Sequence, residues 1–388
     1  MNVLLAPEFP SAAPASTGTV PIEMWRVPVA VVVVAAVLIG CSDSDDGGDA
    51  SAPSTTPDPS SVSTVTTAAP QPSSAAPAAS VTTAAAPPGQ GCGAAAEPGV
   101  TVVELVSGGV DRRYRRYVPP GYDGSEVMPV VLNFHGLAGN AEQQAALTNL
   151  EELAGTEDFI AVHPLGSVDP NTGMTYFELG TASTVDDVAF TADILDDLGA
   201  TLCVDPARVY AMGFSNGGYM SSRLACDLAD RIAAITTVAA TTHPDDCAPS
   251  RAVPVQAFHG TADRVVPFDG GDSALLDTFE QATDTDDPAA AARLDAIADL
   301  LGLAIPDEVG EWAAGNGCSG ESPSDVGEEV ALITYQGCDA PVLFYVVENG
   351  GHTWPGSLPS RAVAALGHTT LDVDATRLAW NFFQQHSL

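Results

Sequence analysis

The pattern of apolar and polar positions divides the chain into three stretches. Residues 27–39 (VPVAVVVVAAVLI) form an unbroken apolar run, short for a membrane span and of the length of a signal-peptide core. Residues 42–91 are almost wholly Ser, Thr, Pro, Ala and Asp. Such a stretch buries too little apolar surface to offset the entropy of ordering, and it reads as a disordered spacer. From residue 93 onward, apolar runs alternate with helical periodicity, the signature of an α/β sheet. Val102–Val106 and Arg113–Val118 predict a hairpin about Ser107-Gly108-Gly109. Val130–Phe134, Phe159–Val162, Val209–Phe214, Ile232–Ala239, Val253–Phe258 and Val342–Val347 read as further strands. Asp187–Leu198, Gly217–Leu228 and Thr376–Gln385 carry helical spacing. Residues 92–388 are thus expected to form a single catalytic-size domain with a mostly parallel central sheet and helices on both faces. Within it, residues 271–304 are Asp- and Ala-rich and read as a helical insertion, equally suited to a lid or to a surface embellishment.

The N-terminal stretch looks like an export address. Met24, Trp25 and Arg26 precede the apolar run, and Leu38-Ile39-Gly40-Cys41 follows at its end. This resembles a bacterial lipobox, which implies cleavage before Cys41 and lipidation of its thiol. Residues 1–40 are then the signal region and 41–91 the lipidated cysteine with its linker. Glu8, Glu23 and several prolines suit no signal peptide, which points to translation from Met24. The expected location is the cell envelope or exterior, held by a lipid anchor.

Composition narrows the partners. The chain of 388 residues has a formal net charge of -37, and all 13 of its basic residues are Arg. This balance disfavours nucleic acid and electrostatic docking on anionic lipid. Acidity of this kind keeps an exported protein soluble. Of the 7 cysteines, those other than Cys41 are even in number, as disulfides in an exported domain require. No metal is expected. The cysteine spacings lack the paired pattern of zinc sites, and Asp43, Asp45, Asp46 and Asp49 lack the closing Glu and flanking helices of a calcium loop.

One constellation carries chemistry. Gly213-Phe214-Ser215-Asn216-Gly217 is G-x-S-x-G between a predicted strand and a predicted helix. There a sharp turn lifts a serine hydroxyl above the sheet, and glycines are needed where the chain is crowded. A serine hydroxyl is a poor nucleophile without a base. His352, in Glu348-Asn349-Gly350-Gly351-His352-Thr353-Trp354 after the last strand, is the candidate. Asp263 follows the strand Val253–Phe258 and is the candidate acid, with Asp269 as the alternative. The order Ser, Asp, His is the one an α/β-hydrolase fold needs. Backbone N–H groups of Asn216 and of Leu137, in Phe134-His135-Gly136-Leu137, are the expected oxyanion donors. His135 and Trp354 are expected to line the substrate pocket; His135 and His259, each before a Gly at a strand end, suit packing or hydrogen bonding better than acting as base. Asp186 and Asp187 read as helix caps.

Taken together, Phe134-His135-Gly136, Met212–Met220 (MGFSNGGYM), His259–Pro267 (HGTADRVVP), Trp312–Cys318 (WAAGNGC) and Gly350–Gly356 (GGHTWPG) resemble the polyhydroxybutyrate depolymerase/feruloyl esterase family over roughly residues 92–388. That resemblance implies an α/β-hydrolase fold, carboxylic-ester hydrolysis by Ser215, Asp263 and His352, and no cofactor. It also implies hydroxyalkanoate oligomers or feruloyl- and acetyl-type esters as substrates, and the pairings Cys92–Cys203, Cys226–Cys247 and Cys318–Cys338. The stretch after Gly271 is longer than the family pattern and leaves the substrate open. A serine peptidase on the same fold and a non-catalytic lipid-anchored binding protein are the alternative readings.

Overall fold

A computed structural model describes residues 90–169, 173–179, 185–282, 288–358 and 365–388. The signal region, Cys41 and all but the last residues of the linker lie outside them. Among the described residues, ten strands form one sheet, β1 (Gly99–Ser107), β2 (Val110–Val118), β3 (Met128–Phe134), β4 (Ile160–Pro164), β7 (Val204–Phe214), β8 (Ala234–Val238), β9 (Val255–Gly260), β10 (Gly320–Asp325), β11 (Val330–Gln336) and β12 (Val342–Val347), in the order β1-β2-β4-β3-β7-β8-β9-β12-β11-β10. β5 (Ser167–Val168) and β6 (Thr175–Tyr176) make a separate small ribbon. The strands from β4 to β12 in that order pair in parallel, and an antiparallel hairpin closes each flank. This is the mostly parallel α/β architecture expected from the strand pattern, and the α/β-hydrolase fold that the resemblance implies.

The strands read as apolar runs because both sheet faces are covered. Alternate residues point to opposite faces. Val130, Leu132 and Phe134 of β3, with Val209 and Ala211 of β7, face one core together with α3 (Asp187–Thr201), α4 (Asn216–Asp227) and α7 (Ile305–Gly315). Val131, Tyr210 and Met212 face the other, against α2 (Leu150–Glu157) and α8 (Ala375–Phe383). There Phe159 stacks on Trp380 at 4.2 Å and Tyr210 on Phe383 at 4.7 Å between ring centres.

Asp186 caps α3 through Ala189 N–H, whereas Asp187 is buried and paired with Arg112. The stretch after Gly271 forms α5 (Ala274–Ala282) and α6 (Pro288–Leu301), with Leu275, Leu276, Ile297 and Leu300 turned to the first core. Disulfides join Cys92 to Cys203, Cys226 to Cys247 and Cys318 to Cys338. No helix among the described residues is long and apolar enough to cross a membrane.

Two regions depart from the sequence pattern. α1 (Ala141–Thr148) and α2 are separate helices broken at Asn149, whose φ is 50°. β10 and β11 extend the sheet beyond β12, although β10 (GESPSD) is exposed along its whole length.

Candidate active site

The candidate residues meet at the carboxyl ends of the parallel strands, where ligands bind in open α/β sheets. β7 ends at Phe214, and α4 begins at Asn216. Ser215 between them has φ 55° and ψ -123°, a conformation that L-residues seldom adopt and that neighbours must enforce. Ser215 N–H donates to Val238 O of β8 at 2.9 Å, and Gly218 N–H donates back to Ser215 O at 2.7 Å. Crowding explains the glycines. A Cβ on Gly213 would sit 2.0 Å from Gly217 O, and one on Gly217 would sit 2.2 Å from Phe134 O. Gly217→Ala is therefore expected to destabilise the fold by about 3 kcal/mol or to displace the turn. A denaturant melt checks it, and a wild-type midpoint would mean that the close approach is not needed.

β9 and β12 pair in parallel, with His259 opposite Val346 and Gly260 opposite Val347. The loops that leave them therefore start side by side. Ala262 N–H donates to Gly350 O at 2.9 Å and Asn349 N–H to Thr261 Oγ1 at 2.8 Å. These bonds bring Asp263 beside His352, with Nδ1 to Oδ2 at 2.8 Å. The other carboxylate oxygen, Oδ1, accepts from Val265 N–H at 2.8 Å and Val266 N–H at 3.0 Å. Burial alone would raise the Asp263 pKa. The neighbouring His352, its hydrogen bond, His259 and the Val266 N–H outweigh burial, and the carboxyl ends below its ordinary value. Asp269 is exposed.

The His352 ring lies 4.8 Å from the Phe214 ring, centre to centre, and so stands beside the turn that carries Ser215. Ser215, Asp263 and His352 are all buried. His259 is a second imidazole against the acid. Its Nε2 lies 2.9 Å from Val266 O and 3.4 Å from Asp263 Oδ2. Burial pushes its pKa down, against the pull of Asp263, so it stands as a neutral support.

The loop after β3 lies against the same turn. A Cβ on Gly136 would be 3.2 Å from Ser215 Cβ. Gly139 N–H donates to Gly136 O at 3.0 Å, and Ala138 has φ 59°, as the third residue of a type II turn does. The N–H groups of Leu137 and Asn216, the expected oxyanion donors, flank Ser215 in sequence or in space, and neither has a backbone acceptor among the described residues.

His135 and Trp354 stand elsewhere than at an open pocket wall. His135 Nδ1 donates to Gly136 O at 2.7 Å, and its Nε2 accepts from Gly166 N–H at 3.0 Å. Burial lowers its pKa to about 4, so the ring is a neutral brace for the loop. Trp354 is 1% exposed and belongs to the α2/α8 core. Its indole N–H donates to Thr376 Oγ1 at 3.0 Å, which pulls the chain after His352 back into the interior. The sequence pattern also missed Thr175 and Phe177, on and just after a two-residue strand too short to show a period. Among the described residues, no group of three or more His, Cys, Asp or Glu is placed to hold a metal ion.

The arrangement suits a serine nucleophile with a histidine base, and comparison with known proteins agrees with the fold. Residues 129–272 match the model of the alpha/beta hydrolase fold family. Feruloyl esterase B of Piromyces equi is 28% identical over 60% of this chain, and the match spans 41% of that longer protein. A putative esterase, NocK, of Nocardia uniformis is 29% identical over 74% of this chain and 83% of its own length. Feruloyl esterase C of Emericella nidulans is 29% identical over 74% of this chain and 91% of its own. With this fold and these relatives, the chain is an α/β hydrolase similar to feruloyl esterases, and it is a carboxylic-ester hydrolase.

Proposed function

We propose that the chain is an exported serine esterase, with Ser215 as nucleophile, His352 as base and Asp263 as the acid that orients it. The observation that carries this reading is the 2.8 Å contact between His352 Nδ1 and Asp263 Oδ2, with the imidazole beside the turn that strains Ser215. Asp263 holds the proton on Nδ1 and leaves the Nε2 lone pair free to take the Ser215 proton. Ser215 Oγ then bonds to the ester carbonyl carbon. The carbonyl oxygen becomes an anion, received by the N–H groups of Leu137 and Asn216. As the C–O bond to the alcohol breaks, His352 gives its proton to the leaving oxygen. A water molecule, deprotonated by His352, attacks the acyl-enzyme, and the same steps return Ser215 and release the acid.

The relatives favour feruloyl-type esters, with acetyl esters and hydroxyalkanoate oligomers as the other members of the class. Three disulfides suit an oxidising, extracellular compartment. The reading includes export by residues 1–40, a lipid anchor on Cys41 and a linker to residue 91, with the esterase domain from Cys92 to Leu388. The test is hydrolysis by the full-length chain of methyl ferulate, a soluble 3-hydroxybutyrate oligomer and a short p-nitrophenyl ester. Methyl ferulate is expected to give the highest kcat/KM. A preference for the hydroxybutyrate oligomer would move the substrate class, and no turnover of any ester would overturn the reading.

A further inference from the structure

We infer that the short segment Thr175–Phe177 is a strap that sets the spacing of the two oxyanion donors, with the Thr175 hydroxyl and the Asn216 side-chain amide as positioning residues. The inference rests on the serine-esterase reading and deepens it.

The donors come from two separate pieces of chain. Leu137 sits in the turn after β3, and Asn216 opens α4. Ala138, in the first piece, holds a left-handed φ of 59° without being glycine, a conformation that costs about 1–2 kcal/mol and needs external support. Thr175 supplies support at two points. Its carbonyl accepts from Ala138 N–H at 2.7 Å, and its hydroxyl donates to Gly139 O.

Two residues on, the same chain edge meets the second piece. Phe177 N–H donates to Asn216 Oδ1 at 2.7 Å, and Asn216 Nδ2 donates to Phe177 O at 3.1 Å. Along an extended chain, residues i and i+2 present their peptide groups to one side, so a strap of this length can hold both pieces at once. The primary amide of Asn216 carries its donor and its acceptor on separate atoms and so bonds both the N–H and the C=O of one residue, which gives the side chain after the nucleophile a purpose separate from that of its N–H.

The strap is itself pinned. The Phe177 ring, 1% exposed, meets Phe134 edge-on at 5.2 Å and His135 at 4.6 Å. Glu178 N–H donates to Asp187 Oδ2 at 2.7 Å, and Asp187 pairs with Arg112 in the interior. An oxyanion hole gains its effect from donors already in place, so a strap across both donors acts on the transition state rather than on substrate binding.

The test compares full-length wild type with Thr175→Val, which keeps the shape and removes the hydroxyl, and with Asn216→Asp, which keeps the acceptor for Phe177 N–H and removes the donor. Each is assayed on an oxygen ester and on its thionoester, whose larger and weaker-accepting sulfur gains little from a hole built for oxygen. Each variant is expected to lose roughly 10- to 100-fold in kcat on the oxygen ester with KM near wild type. The ratio of oxygen-ester to thionoester turnover falls by a similar factor, and Thr175→Ser restores it.

Equal losses on both esters, or no loss on either, would overturn the strap while wild-type turnover keeps the esterase reading standing. A wild type that turns over no ester removes that reading and the strap together. Thermal melts separate misfolding from mispositioning, and Thr175→Val carries the test if Asn216→Asp does not fold.

Discussion

Ser215→Ala is expected to lower ester turnover on the order of a million-fold and to leave the fold intact. The loss is large because serine and histidine act as a unit: without Oγ there is no acyl-enzyme, and what remains is the binding and electrostatic effect of the site on direct attack by water. The fold survives because alanine keeps the Cβ that already sits in the φ 55° conformation, and because the bonds that hold the turn run through the backbone, from Ser215 N–H to Val238 O and from Gly218 and Tyr219 N–H to Ser215 O. The measurement has two arms. Pre-steady-state release of p-nitrophenol loses its burst, and a fluorophosphonate probe no longer labels the protein, while the thermal midpoint stays near wild type. Retained labelling would mean that another residue is the nucleophile.

Asp263→Asn is expected to cost roughly 10⁴-fold in kcat. An asparagine can still accept from Val265 and Val266 N–H through its carbonyl oxygen. It then turns its NH₂ toward His352 Nδ1, which must become an acceptor. The ring proton moves to Nε2, and that nitrogen can no longer take the serine proton. The substitution also acts on stability. The folded pKa of Asp263 lies below its ordinary 3.8, so the carboxylate contributes stability that is complete above the unfolded pKa and is lost as pH falls through the folded one. The stability gap between variant and wild type is therefore expected at neutral pH and narrows only below about 3.8. Asp269→Asn is the control. Asp269 is exposed and should tolerate the change; a large loss there with a small loss at Asp263 would reassign the acid.

Strands buried on both faces announce themselves, and so the central sheet was legible. VVLNF of β3 and VYAMGF of β7 have no polar face to hide them. The Gly213–Gly217 motif was legible for a related reason: a Cβ on either glycine would sit 2.0–2.2 Å from a backbone oxygen, which leaves no room for another residue. Elements set by pairing rather than by burial were not. β10 is polar, exposed and contains Pro323, and it is a strand because β11 pairs with it at the sheet edge, the place where proline is tolerated. Trp354 looked like a pocket residue because it is aromatic and stands two positions from the candidate base. Its direction depends on Thr376, 22 residues away, which accepts its N–H and itself donates to Thr148 O. The Thr175–Phe177 strap has no period to read; its identity lies in what it touches.

The Cys92–Cys203 bond has a mechanical consequence. A terminal edge strand such as β1 is ordinarily where a sheet begins to peel under thermal agitation or protease attack. Here the chain just ahead of β1 is welded to Cys203, directly before the strand that carries Ser215. Gly91 N–H to Gly199 O and Gly93 N–H to Gly124 O fasten the same spot. Tension arriving from the N-terminal side therefore passes along a covalent path into the middle of the sheet and bypasses the edge, which leaves β1 as a shielded flap rather than as the ripcord of the domain.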